Sequence, residues 1–354
     1  MPAEEDMEKS SILKITTLFI CLLGFAVLLT SAKKNNRKTN ARLNEVVVYT
    51  YDSFVSEWGP GPEIEKLFEE KTGYDLTFVD CGGGVQVLSR AVLEKKNVRA
   101  DVILGLDNII SQKAIDENIL AKYEPKNAKN VIPQDAVNEL SKDWYLTPFD
   151  YSHFAMIYDT QSDVPCPASL EDLTNPVYAK KIILMDPRTS TPGFGFVAWT
   201  VSVYGDKVED YWKALKPNIL TMASGWSAGY GLFKQGEAPL VISYTTSPAS
   251  HVEYDNTDRY IAPVFEQGHT MQVEGAGILN KAPNRKGAEA FLDFLISDEA
   301  QEILPLTQWM NPANKNVKLP ESYKVAAPIP QKTLPVDVEA TNAAVEKIMK
   351  ILAE

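Results

Sequence analysis

Between residues 45 and 120, three apolar, β-branched runs alternate with three segments of helical period. EVVVYTY (residues 45–51) is apolar on both faces and reads as a buried strand. Residues 63–71 set Ile64, Leu67 and Phe68 on one helical face, and Gly73 supplies the stop. DLTFV (75–79) is a second strand, and 85–95 a second helix with Val85, Leu88, Val92 and Leu93 on its face. ADVILGL (100–106) is a third strand, and 108–120 a third helix. This order requires a parallel sheet with right-handed crossovers. Ligands of such sheets lie at the carboxyl ends of the strands. Tyr51, Asp52, Asp80 to Gly84 and Asp107 are therefore expected on one cleft edge.

A second alternating set follows. Strands are predicted at 182–185 and 239–244, and helices at 192–204, 207–215 and 226–233. Beyond them lie strands at 260–265 and 273–279 and helices at 285–296, 299–304 and 336–352. No internal repeat or low-complexity tract is visible. A length of 354 residues accommodates two domains. The expected architecture is two similar lobes, with the chain crossing between them at LTPFDYSHFAMIYD (146–159) and around 254–263. Lobe one then comprises 45–148 and 262–335, and lobe two 149–261, with 336–354 as a C-terminal helix. Two crossings make a hinge that can close on a ligand.

Residues 15–29 (ITTLFICLLGFAVLL) form an apolar run shorter than the ~20 residues of a membrane span. With Thr30, Ser31 and Ala32 after it, the segment 1–32 reads as a cleaved signal peptide. An uncleaved anchor through 12–32 is the alternative. Glu4, Glu5, Asp6 and Glu8 are unusual in a signal peptide, and a start at Met7 would remove all but the last. Cys21 has Ile20 before it and is a weak lipid-attachment site. Residues 33–44 (KKNNRKTNARLN) read as a flexible lead.

The chain carries 47 acidic and 35 basic residues, a formal net charge of −12. Losing residues 1–32 would leave about −10. That balance argues against nucleic acid as a partner, which calls for clustered Lys and Arg. It suits a cationic or small neutral ligand. Cys81 and Cys166 permit one disulfide or two free thiols. No Cys/His spacing suggests a metal.

GWSAG (225–229) matches the G-x-S-x-G nucleophile elbow, with His251 and His269 downstream. A serine hydrolase using Ser227 is thus one candidate function. The same segment also places Trp226 and Tyr230 on one helical face. His153, His251 and His269 lie in no ligand-like spacing and read as structural. CGGGV (81–85) opens a helix and could hold an anion on free N–H groups, but lacks the Lys-Ser/Thr ending of a nucleotide loop. In DPRTSTPG (186–193), Ser190 or Thr191 is a natural N-cap with Pro192 at the first helical position. SYTTSP (243–248) repeats that design. Trp58, Trp226 and Trp309 fall in loops or at element ends, whereas Trp144, Trp199 and Trp212 read as packing residues. With Tyr51, Tyr230 and Tyr244, the first three could form an aromatic cage for a cation.

YTYDSFVSEWGPGP (49–62), ADVILGLDN (100–108), PFDYSHFAMIYD (148–159), DPRTSTPGFG (186–195), GWSAGYGLF (225–233), SYTTSPA (243–249) and QWMNP (308–312) occur in order along the chain. Together they resemble the periplasmic thiamine-binding proteins of bacterial ABC importers, over residues 45–335. The resemblance implies an α/β, two-lobed periplasmic binding protein fold of type II, with a mixed sheet flanked by helices in each lobe and hinge crossings between them. It implies a periplasmic, monomeric, non-enzymatic protein that captures thiamine, and thiamine mono- and diphosphate, by lobe closure. The importer's membrane permease, with its ATPase, is the implied partner, and no cofactor is implied. Ring-stacking positions of that family fall on Tyr51, Trp58, Trp226, Tyr244 and Trp309. Its contacts to the phosphate end fall on Gly83, Gly84, Ser190 and Thr191. Two positions depart from the family: Ser250 stands where the family motif SYTTSPAY ends in Tyr, and Gly83 where the family has an acid. Relatives of the same class bind ferric iron or polyamines. The adjacent Tyr pair of the ferric sites is absent, while Asp52, Asp80 and Asp107 are compatible with a polyamine.

Overall fold

The computed structural model describes residues 44–140 and 143–354. The expected signal peptide or anchor, Cys21 and nearly all of the polar lead lie outside the described residues. Eight strands organise the fold: β1 (Glu45–Thr50), β2 (Asp75–Asp80), β3 (Val102–Asp107), β4 (Thr147–Asp159), β5 (Ile182–Met185), β6 (Ile219–Ala223), β7 (Leu240–Tyr244) and β8 (His269–Leu279). Their hydrogen-bonded order is β2-β1-β3-β8-β4-β7-β5-β6. β1 is parallel to β2 and β3, which fits the βαβ reading of the first segment. All six residues of β3 are buried, as expected for a parallel strand covered on both faces.

The helices follow from local chemistry. Helix α1 (Gly61–Thr72) ends where Gly73, at φ 73°, donates its N–H to Glu69 O at 2.9 Å. That left-handed stop is what glycine permits. Helix α2 (Gly84–Glu94) buries Val87, Leu88 and Ala91. Helix α3 (Thr191–Tyr204) is buried nearly all round, and α4 (Val208–Leu215) buries Val208, Tyr211, Trp212 and Leu215. Helices α5 (Trp226–Lys234), α6 (Pro248–Tyr254) and α7 (Arg285–Leu295) also flank the strands, and the short helix Gln134–Leu140 packs on β4 and β8. Helix α8 (Val338–Ala353) packs on α3 and α4, with Asp337 capping its first turn.

The two halves are joined by β4. Its residues from Thr147 to His153 pair antiparallel with β8, and those from Phe154 to Tyr158 pair antiparallel with β7. One strand of 13 residues therefore belongs to both lobes. The expected second crossing at 254–263 is not there. Tyr260 and Ile261 pair with the far end of β4, and β8 makes the return passage. Pro263 lacks the N–H needed to extend that short strand, so the predicted 260–265 strand stops at Ile261.

Two helices also differ from expectation. The third is only Ser111–Asp116, because the Asp107 carboxylate accepts the N–H groups of Ile109 and Ile110 and delays its start. At its other end Asn118 turns at φ 53°, and Leu120 and Ala121 pair with β8. The predicted 299–304 helix is two single turns, Asp298–Gln301 and Leu304–Thr307.

Trp199 and Trp212 are fully buried. Trp199 stacks on His269 at 4.6 Å and donates Nε1–H to Gly268 O at 2.9 Å. Trp144 is partly buried against a smaller cluster containing Val131 and Val137. Helix α3 lies against β4 so tightly that a Cβ on Gly195 would come within 2.2 Å of the Phe154 ring. Phe154→Ala should cost about 3–5 kcal/mol in urea unfolding, through the lost ring and the cavity left behind. Gly195→Ala should cost about 1–3 kcal/mol by overpacking the same contact.

Candidate functional site

The carboxyl ends of β1, β2, β5, β6 and β7 converge on one cavity between the lobes. Tyr51, Trp58, Gly83, Gly84, Ser190, Thr191, Trp226, Tyr244 and Trp309 all line it. They come from separate stretches of both lobes, and the tertiary fold brings all nine together. Its lining also includes Glu274, Gln308 and Ser247, which the sequence reading missed, and Tyr230 and Ser250.

The aromatic walls are held by specific bonds. Trp226 opens α5, donates Nε1–H to Ser243 Oγ at 2.8 Å, and stacks on Tyr230 with centroids 4.8 Å apart. Across the cleft it meets Trp58 at 5.8 Å, so the two lobes touch around the cavity. Trp309, at φ 57°, stacks on Tyr323 and takes the edge of Tyr254 at 5.5 Å. Tyr254 is mostly exposed and does not line the cavity. Its hydroxyl donates to Leu306 O at 3.0 Å, so it props Trp309 without replacing the ring absent at Ser250.

Two helix N-termini, those of α2 and α3, come together at this cavity. A Cβ on Gly83 would lie 2.1 Å from Thr189 O, and one on Gly84 would lie 2.4 Å from Thr191 Oγ1. Glycine is needed at both positions to allow that approach. Ser190 occupies the N-cap position of α3, but its hydroxyl makes no capping bond. That oxygen is buried without any partner, contrary to the expected capping role. The Gly83 N–H is already taken by Gln86 Oε1 at 2.8 Å, so it is not a free donor. Paired helix N-termini with an unused hydroxyl favour a negative group.

Another part of the lining has the opposite character. Tyr51 donates its hydroxyl to Glu274 Oε2 at 2.6 Å, and Gln308 donates to Tyr51 Oη. Gln272 donates to Glu274 Oε1 and accepts from Tyr244 Oη at 2.9 Å. Asp107 and Asp150 lie behind this network, fully buried. Asp150 has no hydrogen-bond partner on either oxygen, and Asp107 has none on Oδ2. Burial pushes the Asp107 carboxyl up to about 6, against the N–H bonds from Ile110 and Ile109. Burial first, and then the neighbouring carboxyls, raise both Glu274 and Asp150. Among the acids weighed for a polyamine, Asp52 lines the cavity, whereas Asp80 is occupied by the Gly82 N–H at 2.7 Å.

The remaining candidates resolve as structure. Ser227 Oγ is buried with no partner. His251 is held between Tyr230 Oη at 2.9 Å and Asp255 at 2.7 Å, and His269 between Phe154 O and the Phe265 N–H, both at 2.8 Å. A serine nucleophile requires a base in hydrogen-bonding reach, and Ser227 has none. His153 bonds Thr333 Oγ1 at 2.8 Å. Cys81 and Cys166 are free thiols. Among the described residues no His/Cys/Asp/Glu group could hold a metal, and no helix is long and apolar enough to cross a membrane.

The buried carboxyls predict a pH signature. A carboxyl whose pKa is raised by folding binds its proton more tightly in the native state. Its contribution to stability therefore declines as pH rises above its unfolded pKa of about 3.9, until the folded value is passed. Asp150→Asn removes that decline. Its unfolding free energy should gain on the wild type as pH rises above the ordinary carboxyl range; parallel curves would contradict the raised pKa.

A family described as bacterial extracellular solute-binding protein matches residues 97–333. The "Thiamine-binding periplasmic protein" of Brucella abortus biovar 1 is 40% identical over 292 residues, covering 82% of this chain and 86% of that one. Its namesake in Escherichia coli K12 is 40% identical over 282 residues, covering 79% and 84%. A solved "Periplasmic thiamin binding protein" superposes with a TM-score of 0.80 at 36% identity, covering 88% of this chain and 96% of that one. An apo ferric ion-binding protein from Pasteurella haemolytica, at 18% identity and a TM-score of 0.71, shares the fold. The two lobes, the strand carrying them both and the cavity between them are thus those of a bacterial extracellular solute-binding protein, and the chain belongs to that family, alongside the thiamine-binding periplasmic proteins.

Proposed function

We propose that this chain captures thiamine outside the cytoplasm, in the periplasm, and delivers it to the membrane permease of an ABC importer. The observation that carries this reading is the two-sided chemistry of the cavity. Aromatic faces and buried carboxyls favour thiamine's flat aminopyrimidine and its thiazolium, a permanent cation. The paired helix N-termini and the unused Ser190 hydroxyl favour a phosphate tail, which supports thiamine mono- and diphosphate as further ligands. Ligand contacts to both lobes select the closed arrangement, and the permease reads that arrangement. The protein acts as a monomer and as a carrier, with no reaction of its own. Its N-terminal segment either directs export or holds it at the membrane.

A thermal-shift screen tests the ligand. Thiamine and its phosphates should raise the unfolding midpoint, because binding to the folded state stabilises it by mass action. Spermidine and ferric citrate should not. No shift with millimolar thiamine would overturn the proposal, and a shift with spermidine alone would assign the cleft to a polyamine. Removing the central aromatic platform should be costly: Trp226→Ala should weaken thiamine binding by about 1–3 kcal/mol in calorimetry. Ser227→Ala should leave affinity within about threefold, under 1 kcal/mol. Loss of an esterase activity in that variant would reinstate the hydrolase.

A further inference from the structure

Glu274 is the only acid of the buried carboxyl group that reaches the cavity wall. It is 6% exposed, whereas Asp107 and Asp150 are 0% exposed. The groups facing it are Tyr51 after β1, Asp107 at the end of β3, Asp150 on β4, Tyr244 at the end of β7, and Gln272; Gln308 bonds Tyr51 behind them, and Tyr323 faces Asp150. Among the described residues, none of the three carboxyls is ion-paired or hydrogen-bonded to a Lys, Arg or His. Three carboxyls in one dry region cannot all ionise without a counterion, since each charge loses its hydration and repels the others. Asp150, with both oxygens unpartnered, has nothing in the protein to offset a charge. The aromatic walls would place a cationic ring against the one carboxyl that is within reach.

We propose that Glu274 is the residue through which the cleft selects a positively charged ring, and that the arriving ring displaces one proton from the carboxyl group shared by Glu274, Asp150 and Asp107. This rests on thiamine being the ligand. In the exchange, a carboxylic O–H bond breaks and its electron pair stays on the carboxylate. The proton leaves to the buffer as the cation enters, so the charge of the buried region is unchanged. The three acids titrate as a unit, and the proton belongs to the group rather than to one oxygen. Hydrogen bonds from Tyr51 and Gln272 are already aimed at Glu274, so the carboxylate is received without rearrangement. Burial and the neighbouring acids raise Glu274 in the meantime, which keeps a proton available near neutral pH. A neutral ring of the same shape gains nothing from the exchange and leaves the proton in place.

The test is titration calorimetry of the whole chain near pH 7, in phosphate and in Tris, which differ in ionisation enthalpy. The probes are thiamine and its neutral isostere with a thiophene in place of the thiazolium. Both carry the same aminopyrimidine, so protonation of that ring cancels between them. Thiamine should release about one proton, and its affinity should fall up to about tenfold per pH unit as acid restores that proton. The isostere should release none and bind without that dependence. Glu274→Gln should abolish the release and weaken thiamine at least tenfold while leaving the isostere within threefold. The comparison of the two ligands on the unmodified chain stands even if that variant does not fold. Thiamine heats that are independent of buffer, or equal release by both ligands, would overturn the role of Glu274 while leaving thiamine as ligand. No heat with thiamine would overturn both.

Discussion

Pairing of β4 with both β8 and β7 is the constraint on which the rest of the molecule depends. A strand that ends one sheet and begins another fixes the distance and twist between lobes, because its hydrogen bonds cannot slip without turning every side chain to the wrong face. The change of partner falls between His153 and Phe154. Phe154 is locked against Gly195 of α3, and His269, at the start of β8, accepts the Phe265 N–H and bonds the Phe154 carbonyl. Phe154 also packs its ring 5.3 Å from that of Tyr244, which lines the cleft, so these contacts brace the cleft from behind. Loops after the parallel strands then supply its walls from either side.

The same arrangement explains the uneven electrostatics of the cavity. Parallel strands deliver their carboxyl ends, and the helices that follow deliver their amino ends, to one line in space. At Gly84 and Thr191 this brings two partial positive charges together. The antiparallel β8 and the long β4 run through the middle and bring Glu274 and Asp150 alongside each other in register. A ligand with a cationic ring and an anionic tail matches both features. The net charge of the chain, by contrast, adds only a diffuse background field.

Much of this was legible beforehand. Apolar runs at 45–51 and 100–106 can be little else than buried strands, and Gly73 stops a helix wherever it falls. Tyr51, Trp58, Trp226, Tyr244 and Trp309 are legible as a possible aromatic cage, and Gly83, Gly84, Ser190 and Thr191 as helix starts; that all nine belong to one site rests on the resemblance, and the fold gathers them in one cavity. Glu274 was missed because a single acid in an otherwise apolar strand has no local pattern; its meaning comes from Tyr51 and Asp150, which are far away along the chain. The second crossing was misplaced for a similar reason. Periodicity finds a strand at 273–279 but does not say which lobe's strands it pairs with. Position alone offers Ser190 or Thr191 as the cap, whereas the Ser190 hydroxyl makes no bond to the helix backbone and is buried without a partner.

By itself, then, the order of residues determined the alternation of strands and helices, the parallel sheet of the first segment and the strand edge at which the cavity opens. These follow from short-range patterns of burial and turn chemistry, which act between neighbours in the chain. Only the tertiary structure decided that the two sheets share one strand, that GWSAG has no base beside its serine, and that three carboxyls without a counterion sit beneath an aromatic cavity. Those are facts of distance between remote residues, fixed by close packing and by which strands pair.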